Sequence, residues 1–219
     1  MILTPANLGV GANSVNDTYK VTPKKATWKH SFKWKPVENN TIDFLTTFKK
    51  TNNGQYIINN KIERGTDLTK NTQVKQYKVA VLRVGYNEST HGYLNPCQNV
   101  IEDTMPNSNE ARSKYVPAQF YPTNPIDNDA GICNLELKLN LLGELKIFTL
   151  ENEEIEDNSI IEFKYDNTME QGWRWIPLRV RYDKTNELRS GLNNFGNAYH
   201  TANNIWHSIH YPITDEMIS

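Results

Sequence analysis

The run Leu135-Glu136-Leu137-Lys138-Leu139-Asn140-Leu141 is the strictest pattern in the chain. Apolar and polar residues alternate with period two, so an extended strand would put every leucine on one side and every polar residue on the other. That commits the segment to a half-buried strand rather than a helix. Ile161, Phe163 and Tyr165 repeat the alternation, and Trp173 to Tyr182 reads as one more strand. From Val74 to Val84 the pattern changes: Tyr77, Val79 and Val81 fall on one face and Ala80, Leu82 and Val84 on the other. Both faces are apolar, which predicts a central strand. Residues 85–130 carry Gly, Pro, Asn and Asp throughout and read as a long excursion, with a short helix at Glu110 to Lys114. Several strands with turn-rich connections predict a mainly β fold that closes into a small, partly open barrel.

The two ends differ from this middle. The first 45 residues read as short strands broken by turns, ending in Ser31-Phe32-Lys33-Trp34-Lys35-Pro36 and then Thr41-Ile42-Asp43-Phe44. A polar stretch rich in Asn, Thr and Lys follows from Lys49 to Asn71, and we read it as a boundary. Beyond Lys184, Phe195, Tyr199, Ala202 and Trp206 recur near helical spacing, and Thr214 precedes Asp215-Glu216-Met217 as a candidate N-cap.

Charge and cysteine content narrow the function classes. The formal net charge is −1, so the chain as a whole has no pull toward nucleic acid or an anionic membrane, and any phosphate binding must be local. No apolar stretch approaches the roughly 18 residues of a membrane-spanning helix. Cys97 and Cys133 are too few for a disulfide scaffold and lack the paired spacing of a zinc site, which reads as free thiols of a reducing compartment.

Two clusters invite phosphate chemistry. In an extended Lys33-Trp34-Lys35 both ammonium groups leave one face, where two point charges suit a phosphate. Lysines on a solvated edge strand are the plainer account of the triplet alone. In Trp173 to Lys184, strand parity puts Arg179, Arg181 and Asp183 on one face, with Leu178, Val180 and Tyr182 on the other. A carboxylate there can hold two guanidiniums until phosphate arrives, and Lys184 at the strand end can turn to the same ligand. A cross-strand salt-bridge ladder accounts for the same letters. His200, His207 and His210 fall on one helical stretch but lack neighbouring carboxylates or thiols, so aromatic packing explains them better than a metal. Asp43 reads equally as a metal ligand or a turn or strand-end carboxylate, and Gly9-Val10-Gly11 lacks the third glycine of a nucleotide loop.

The order of these strings resembles one family. Phe32-Lys33-Trp34-Lys35-Pro36 followed by Asn40-Thr41-Ile42-Asp43-Phe44 is similar to the fifth nucleotidyltransferase motif of mRNA capping enzymes from large nucleocytoplasmic DNA viruses. Met1-Ile2-Leu3-Thr4-Pro5 looks like the tail of the fourth motif, without its Asp-Gly pair. Arg181-Tyr182-Asp183-Lys184 resembles the Arg-x-Asp-Lys core of the sixth, and Phe195-Gly196-Asn197-Ala198-Tyr199 through Thr214 looks like the connector into a fused cap N7-methyltransferase. The resemblance implies the end of a nucleotidyltransferase domain at 1–48, a hinge at 49–73, an OB-fold barrel at 74–188 and a helical connector at 189–219.

The same resemblance implies an mRNA guanylyltransferase, which takes GMP from GTP onto a lysine and passes it to the 5′-diphosphate end of RNA. Lys33 and Lys35 would hold the α phosphate; Arg179, Arg181 and Lys184 would orient the pyrophosphate; Asp183 would align the arginines. Magnesium or manganese would accompany GTP, and S-adenosylmethionine would serve the methyltransferase. A small stimulatory methyltransferase subunit would be a further partner. The protein would work in the cytoplasm, in viral factories, or be packaged in virions.

The chain contains no Lys-x-Asp-Gly and no Asp-Gly at all, so the nucleophile is expected upstream of Met1, the methyltransferase beyond Ser219, and the isolated chain is expected to be inactive. Residues 1–45 would then be strands with unpaired edges, and the connector helix would present an uncovered apolar face. Three other readings stay open: a non-catalytic OB-fold module for single-stranded nucleic acid, a ligase-type segment, and a decayed gene product.

Overall fold

The computed structural model describes residues 2–9, 30–62, 69, 74–94, 96–102 and 115–218, without the side chains of 98 and 99. The helix expected at Glu110 to Lys114, and Val10 and Gly11, lie outside the described residues. Eleven strands are described: β1 (Ile2–Leu3), β2 (Phe32–Lys33), β3 (Thr41–Phe48), β4 (Ile58–Lys61), β5 (Lys75–Asn87), β6 (Tyr115–Gln119), β7 (Ile132–Glu136), β8 (Lys138–Leu139), β9 (Leu145–Lys146), β10 (Ser159–Tyr165) and β11 (Trp175–Val180). The α-helices among the described residues are α1 (Glu88–His91), α2 (Pro96–Ile101), α3 (Tyr182–Arg189) and α4 (Tyr199–His210).

The long apolar run becomes β5, 13 residues with partners on both edges. One edge takes β3 (Leu45 opposite Arg83) and β4 (Ile58 opposite Lys78); the other takes β7 (Val81 opposite Ile132) and β6 (Val84 opposite Ala118). Beyond β3 the antiparallel sheet continues through β10 to β11, giving seven strands. Ala80, Leu82 and Val84 on β5 join Phe44, Cys133, Phe163, Trp175 and Trp206 in one buried cluster.

This architecture corrects the expected barrel: among the described residues the fold is mixed α/β, and no sheet closes. The outer edge of β11 carries Pro177, which has no N–H to offer a further strand. That edge is instead met by a turn, with the N–H groups of Leu150 and Glu151 donating to the carbonyls of Pro177 and Leu178 at 2.9 and 3.1 Å. Between β11 and β7 only scattered bonds cross: Asn134 N–H to the Gly172 carbonyl (2.7 Å), Trp175 Nε1 to the Ala130 carbonyl (2.7 Å) and the Cys133 thiol to the Trp175 carbonyl (3.1 Å). The aromatic core fills the gap that ladder pairing would otherwise close.

One sheet takes strands from before, within and after the stretch 49–73 expected as a hinge. β3, assigned to the first of the expected domains, lies between β5 and β10, so its bonds join sequence from both sides of that stretch. The leucine alternation also outruns the sheet. Leu135 and Leu137 are buried, but the chain then turns into the β8–β9 hairpin, where Leu139 is 69% and Leu141 fully exposed.

α4 forms where Tyr199, Ala202 and Trp206 predicted it, and its apolar face is covered. Trp206 is fully buried against Trp175, Phe120 and Tyr165, with ring centroids 4.8 to 6.1 Å away, and its Nε1 donates to the Pro125 carbonyl at 2.9 Å. The core of the sheet supplies the cover that the connector was expected to lack. Asp215–Met217 forms a short 3-10 turn, and Thr214 makes no side-chain cap there.

Candidate functional site

Strand register builds the first half of the site. Across β11, β10 and β3, Arg179 stands opposite Glu162 and Glu162 opposite Asp43, so three charged side chains form one row on the same sheet face. Two carboxylates side by side repel, so the row needs cations around it. Arg179 supplies one, its Nε donating to Glu162 at 2.6 Å, and the Thr41 hydroxyl donates to the other Glu162 oxygen at 2.6 Å. Burial by itself would push the Glu162 carboxyl up; the bonds from Thr41 and Arg179 and the charges of Arg179 and Arg181 outweigh it and hold it below its ordinary value.

The second half comes from a helix that strand parity did not anticipate. β11 stops at Val180, Arg181 is the N-terminal cap residue of α3, and Asp183 and Lys184 lie in the first turn of that helix. The Ile160 N–H donates to the Thr185 hydroxyl at 2.9 Å, which fixes α3 against β10. With the strand ended, Arg179 and Arg181 do not share Asp183. Arg181 alone forks onto it, Nε to Oδ1 at 3.1 Å and Nη2 to Oδ2 at 2.9 Å. This pair holds the Asp183 carboxyl below, and the Arg181 guanidinium above, their ordinary values.

Asp43 is the centre of the arrangement. Its Oδ2 accepts from Arg181 Nη1 at 2.5 Å and from Lys184 Nζ at 2.6 Å. The Asp43 side chain is 9% exposed, against 24% and 22% for its two partners, so the cations reach solvent more than the carboxylate does. Its backbone is fixed as well: Asp43 N–H donates to Asn197 Oδ1 at 2.7 Å and its carbonyl accepts from Asn197 N–H at 2.8 Å. Asp43 was legible only as a metal ligand or strand-end group; Glu162 and Asn197 were missed. The available sign was a charged residue inside the apolar run Ile42-Asp43-Phe44-Leu45, which demands a buried partner.

Lys33 and Lys35 lie elsewhere. β2 ends at Lys33, so the expected shared strand face does not extend to Lys35, and both lysines are exposed. They line a cavity of about 400 Å³ together with Trp34, Ser208 and Ile213, and none of Arg179, Arg181, Asp183 or Lys184 lines it. Trp34 Nε1 donates to the Ile213 carbonyl at 2.7 Å, tying this segment to the one after α4. His210 and His207 pack on Trp206 and Tyr211, and His200 stacks on His91. Among the described residues no three His, Cys, Asp or Glu side chains gather as metal ligands. Cys97 and Cys133 are free thiols, and burial pushes the Cys133 thiol far up.

Set beside known proteins, residues 128–219 match the family model described as mRNA capping enzyme, C-terminal domain. Over its whole length the chain is 29% identical, across 224 aligned positions, to a probable mRNA-capping enzyme of Acanthamoeba polyphaga mimivirus. The chain spans about 15% of that relative's length. It is thus similar to a viral mRNA-capping enzyme, and the matched region contains Glu162, Arg179, Arg181, Asp183, Lys184 and Asn197.

Proposed function

We propose that this chain is the phosphate-gripping C-terminal portion of an mRNA guanylyltransferase, which moves GMP from GTP to the 5′-diphosphate end of RNA. The observation that carries the reading is the convergence of Arg181 and Lys184 on one oxygen of Asp43, within a region similar to the capping-enzyme C-terminal domain. An arginine has five N–H donors and a lysine three; the bonds described use three and one of them, so both cations keep donors for a ligand. Guanylyl transfer moves negative charge onto the departing pyrophosphate, and cations fixed in advance stabilise that charge without reorganising. In this reading Arg181 and Lys184 take the β and γ phosphates, Asp43 and Asp183 hold them ready, and Arg179 adds field from its place on Glu162. Lys33 and Lys35 take the α phosphate once their segment and the Arg181 cluster approach the same nucleotide.

Magnesium or manganese would accompany GTP, and S-adenosylmethionine would serve a methyltransferase beyond this chain. Neither has a site built from the described residues, and no step above passes through them. Without Lys-x-Asp-Gly the chain has no nucleophile of the expected type, so incubation with α-labelled GTP should leave no label on the denatured protein. Calorimetric titration with GTP, GDP and GMP tests the grip: affinity should fall in that order as phosphates are lost. A GMP affinity equal to that of GTP contradicts the proposal. Salt-dependent binding to single-stranded RNA, indifferent to its 5′ phosphates and to Arg181, would favour the nucleic-acid module instead.

A further inference from the structure

The pairing of β3 with β5 ends at Leu45 opposite Arg83, while β3 runs on beside β10 through Asp43 to Thr41. Where β3 and β5 diverge, residues 196–198 enter between them: Gly196 bridges Phe44, Ala198 bridges Gly85, and the Gly85 N–H donates to the Asn197 carbonyl at 3.0 Å. Asn197 therefore touches both strands through its backbone and reaches the Asp43 N–H through its side chain as well. The approach is close enough to demand glycine before it. Gly196 has φ +83°, and a Cβ there would collide with the Asp43 carbonyl oxygen. Asn194 Oδ1 accepts from Gly196 N–H at 3.1 Å and fixes the entry.

We infer that Asn197 is a positioning residue for the phosphate grip: by holding the Asp43 peptide on both sides it sets where the buried carboxylate stands, and so where Arg181 and Lys184 converge. The inference rests on the phosphate reading above. Asp43 contributes the anchor, α3 contributes the cations, and the two meet only through side chains. A shift of the Asp43 peptide separates Lys184, which the hydrogen bonds above tie to Asp43 alone, from Arg181, which Asp183 also holds. Asn197 lies next to Ala198, the N-terminal cap residue of α4, whose face packs in the core beneath, so the same segment links that helix to the charged row. The Asn197 side chain is separable from the insertion of residues 196–198 between the strands, because the two backbone bonds do not involve it.

The test is a double-mutant cycle on the full chain, with inorganic tripolyphosphate as the probe, and melting curves to verify folding. Asn197→Ala should weaken tripolyphosphate binding about fivefold or more in the wild-type background, and by less than about twofold in an Asp43→Ala background, where there is no carboxylate to place. An Asn197→Ala protein that binds like wild type, or that loses the same factor in both backgrounds, overturns the positioning role while leaving the grip intact. Wild-type binding that is absent or unchanged by Arg181→Ala removes the phosphate reading and this inference with it. Should Asn197→Ala fail to fold, Asn197→Ser, which keeps an oxygen acceptor on a shorter arm, takes its place with the same two outcomes.

Discussion

Arg181 donates to the buried carboxylate of Asp43 across 138 positions of sequence, from the start of a helix to the middle of a strand. This ion pair, with Lys184 on the same oxygen, joins the two strings by which the sequence resembles a capping enzyme. A carboxylate so buried is retained at a cost in desolvation, which its two charged partners offset only while both stay in place.

Asp43→Ala should therefore cost stability, by about 1–3 kcal/mol. The figure lies below the roughly 3–5 kcal/mol of a fully buried broken pair because Arg181 and Lys184 still reach solvent. Urea unfolding of the two proteins measures it, and an unchanged midpoint would mean that the pair holds nothing together.

Acid should erode the same region. Glu162, Asp183 and Asp157 all sit below their ordinary carboxyl values in the folded chain, Asp157 because bonds from Lys50, the Phe48 N–H and Tyr56 outweigh its burial. The unfolded chain binds protons at these groups first, so their stabilisation is full only above about pH 5 and is lost as pH falls through the lower folded values. Melting temperature should drop below that pH, and Glu162→Gln should lower it at pH 7 while making its fall with acid shallower. A parallel acid profile in both proteins would exclude Glu162 as a contributor.

Trp206→Ala should cost about 3–5 kcal/mol, the range for truncating a large buried aromatic. It removes the centre of the ring contacts among α4, β10 and β11 and leaves the Pro125 carbonyl without its donor. Thermal unfolding decides whether α4 belongs to this core; a loss under about 1 kcal/mol would point to a helix merely resting on the surface.

Leu141→Lys should shift stability by no more than about 0.5 kcal/mol, the usual bound for surface changes. Had the alternating run continued as one half-buried strand, the same substitution would place a charge in the core. Chemical denaturation separates the two.

Which elements of this were legible follows from what each depends on. β5, β10 and α4 have periodic apolar faces that report burial directly, and they form where the pattern placed them. Pro177 marks an edge that a further strand cannot pair with fully, but the open sheet was not legible as a whole, because nothing in Leu150 announces the turn that docks there. Leu139 and Leu141 carried the alternation past the end of the sheet, since periodicity records which face a residue takes but not whether anything packs on it. Composition and order single out Arg179, Arg181, Asp183 and Lys184 as candidates, but the structure groups them differently, with Arg181 on Asp183 and Arg179 on Glu162. The strand parity that put both arginines on Asp183 fails once the backbone turns helical at Tyr182. Asp43 and Asn197, 154 positions apart, meet only in the folded chain.

The measurement closest to the central claim is the affinity of the chain for GTP with Arg181 or Lys184 replaced by alanine. Calorimetry under identical salt should give at least a tenfold loss for Arg181→Ala and a smaller but clear loss for Lys184→Ala, with both variants folded by their melting curves. GTP affinities unchanged by either substitution, in a chain that binds GTP, would contradict the phosphate grip.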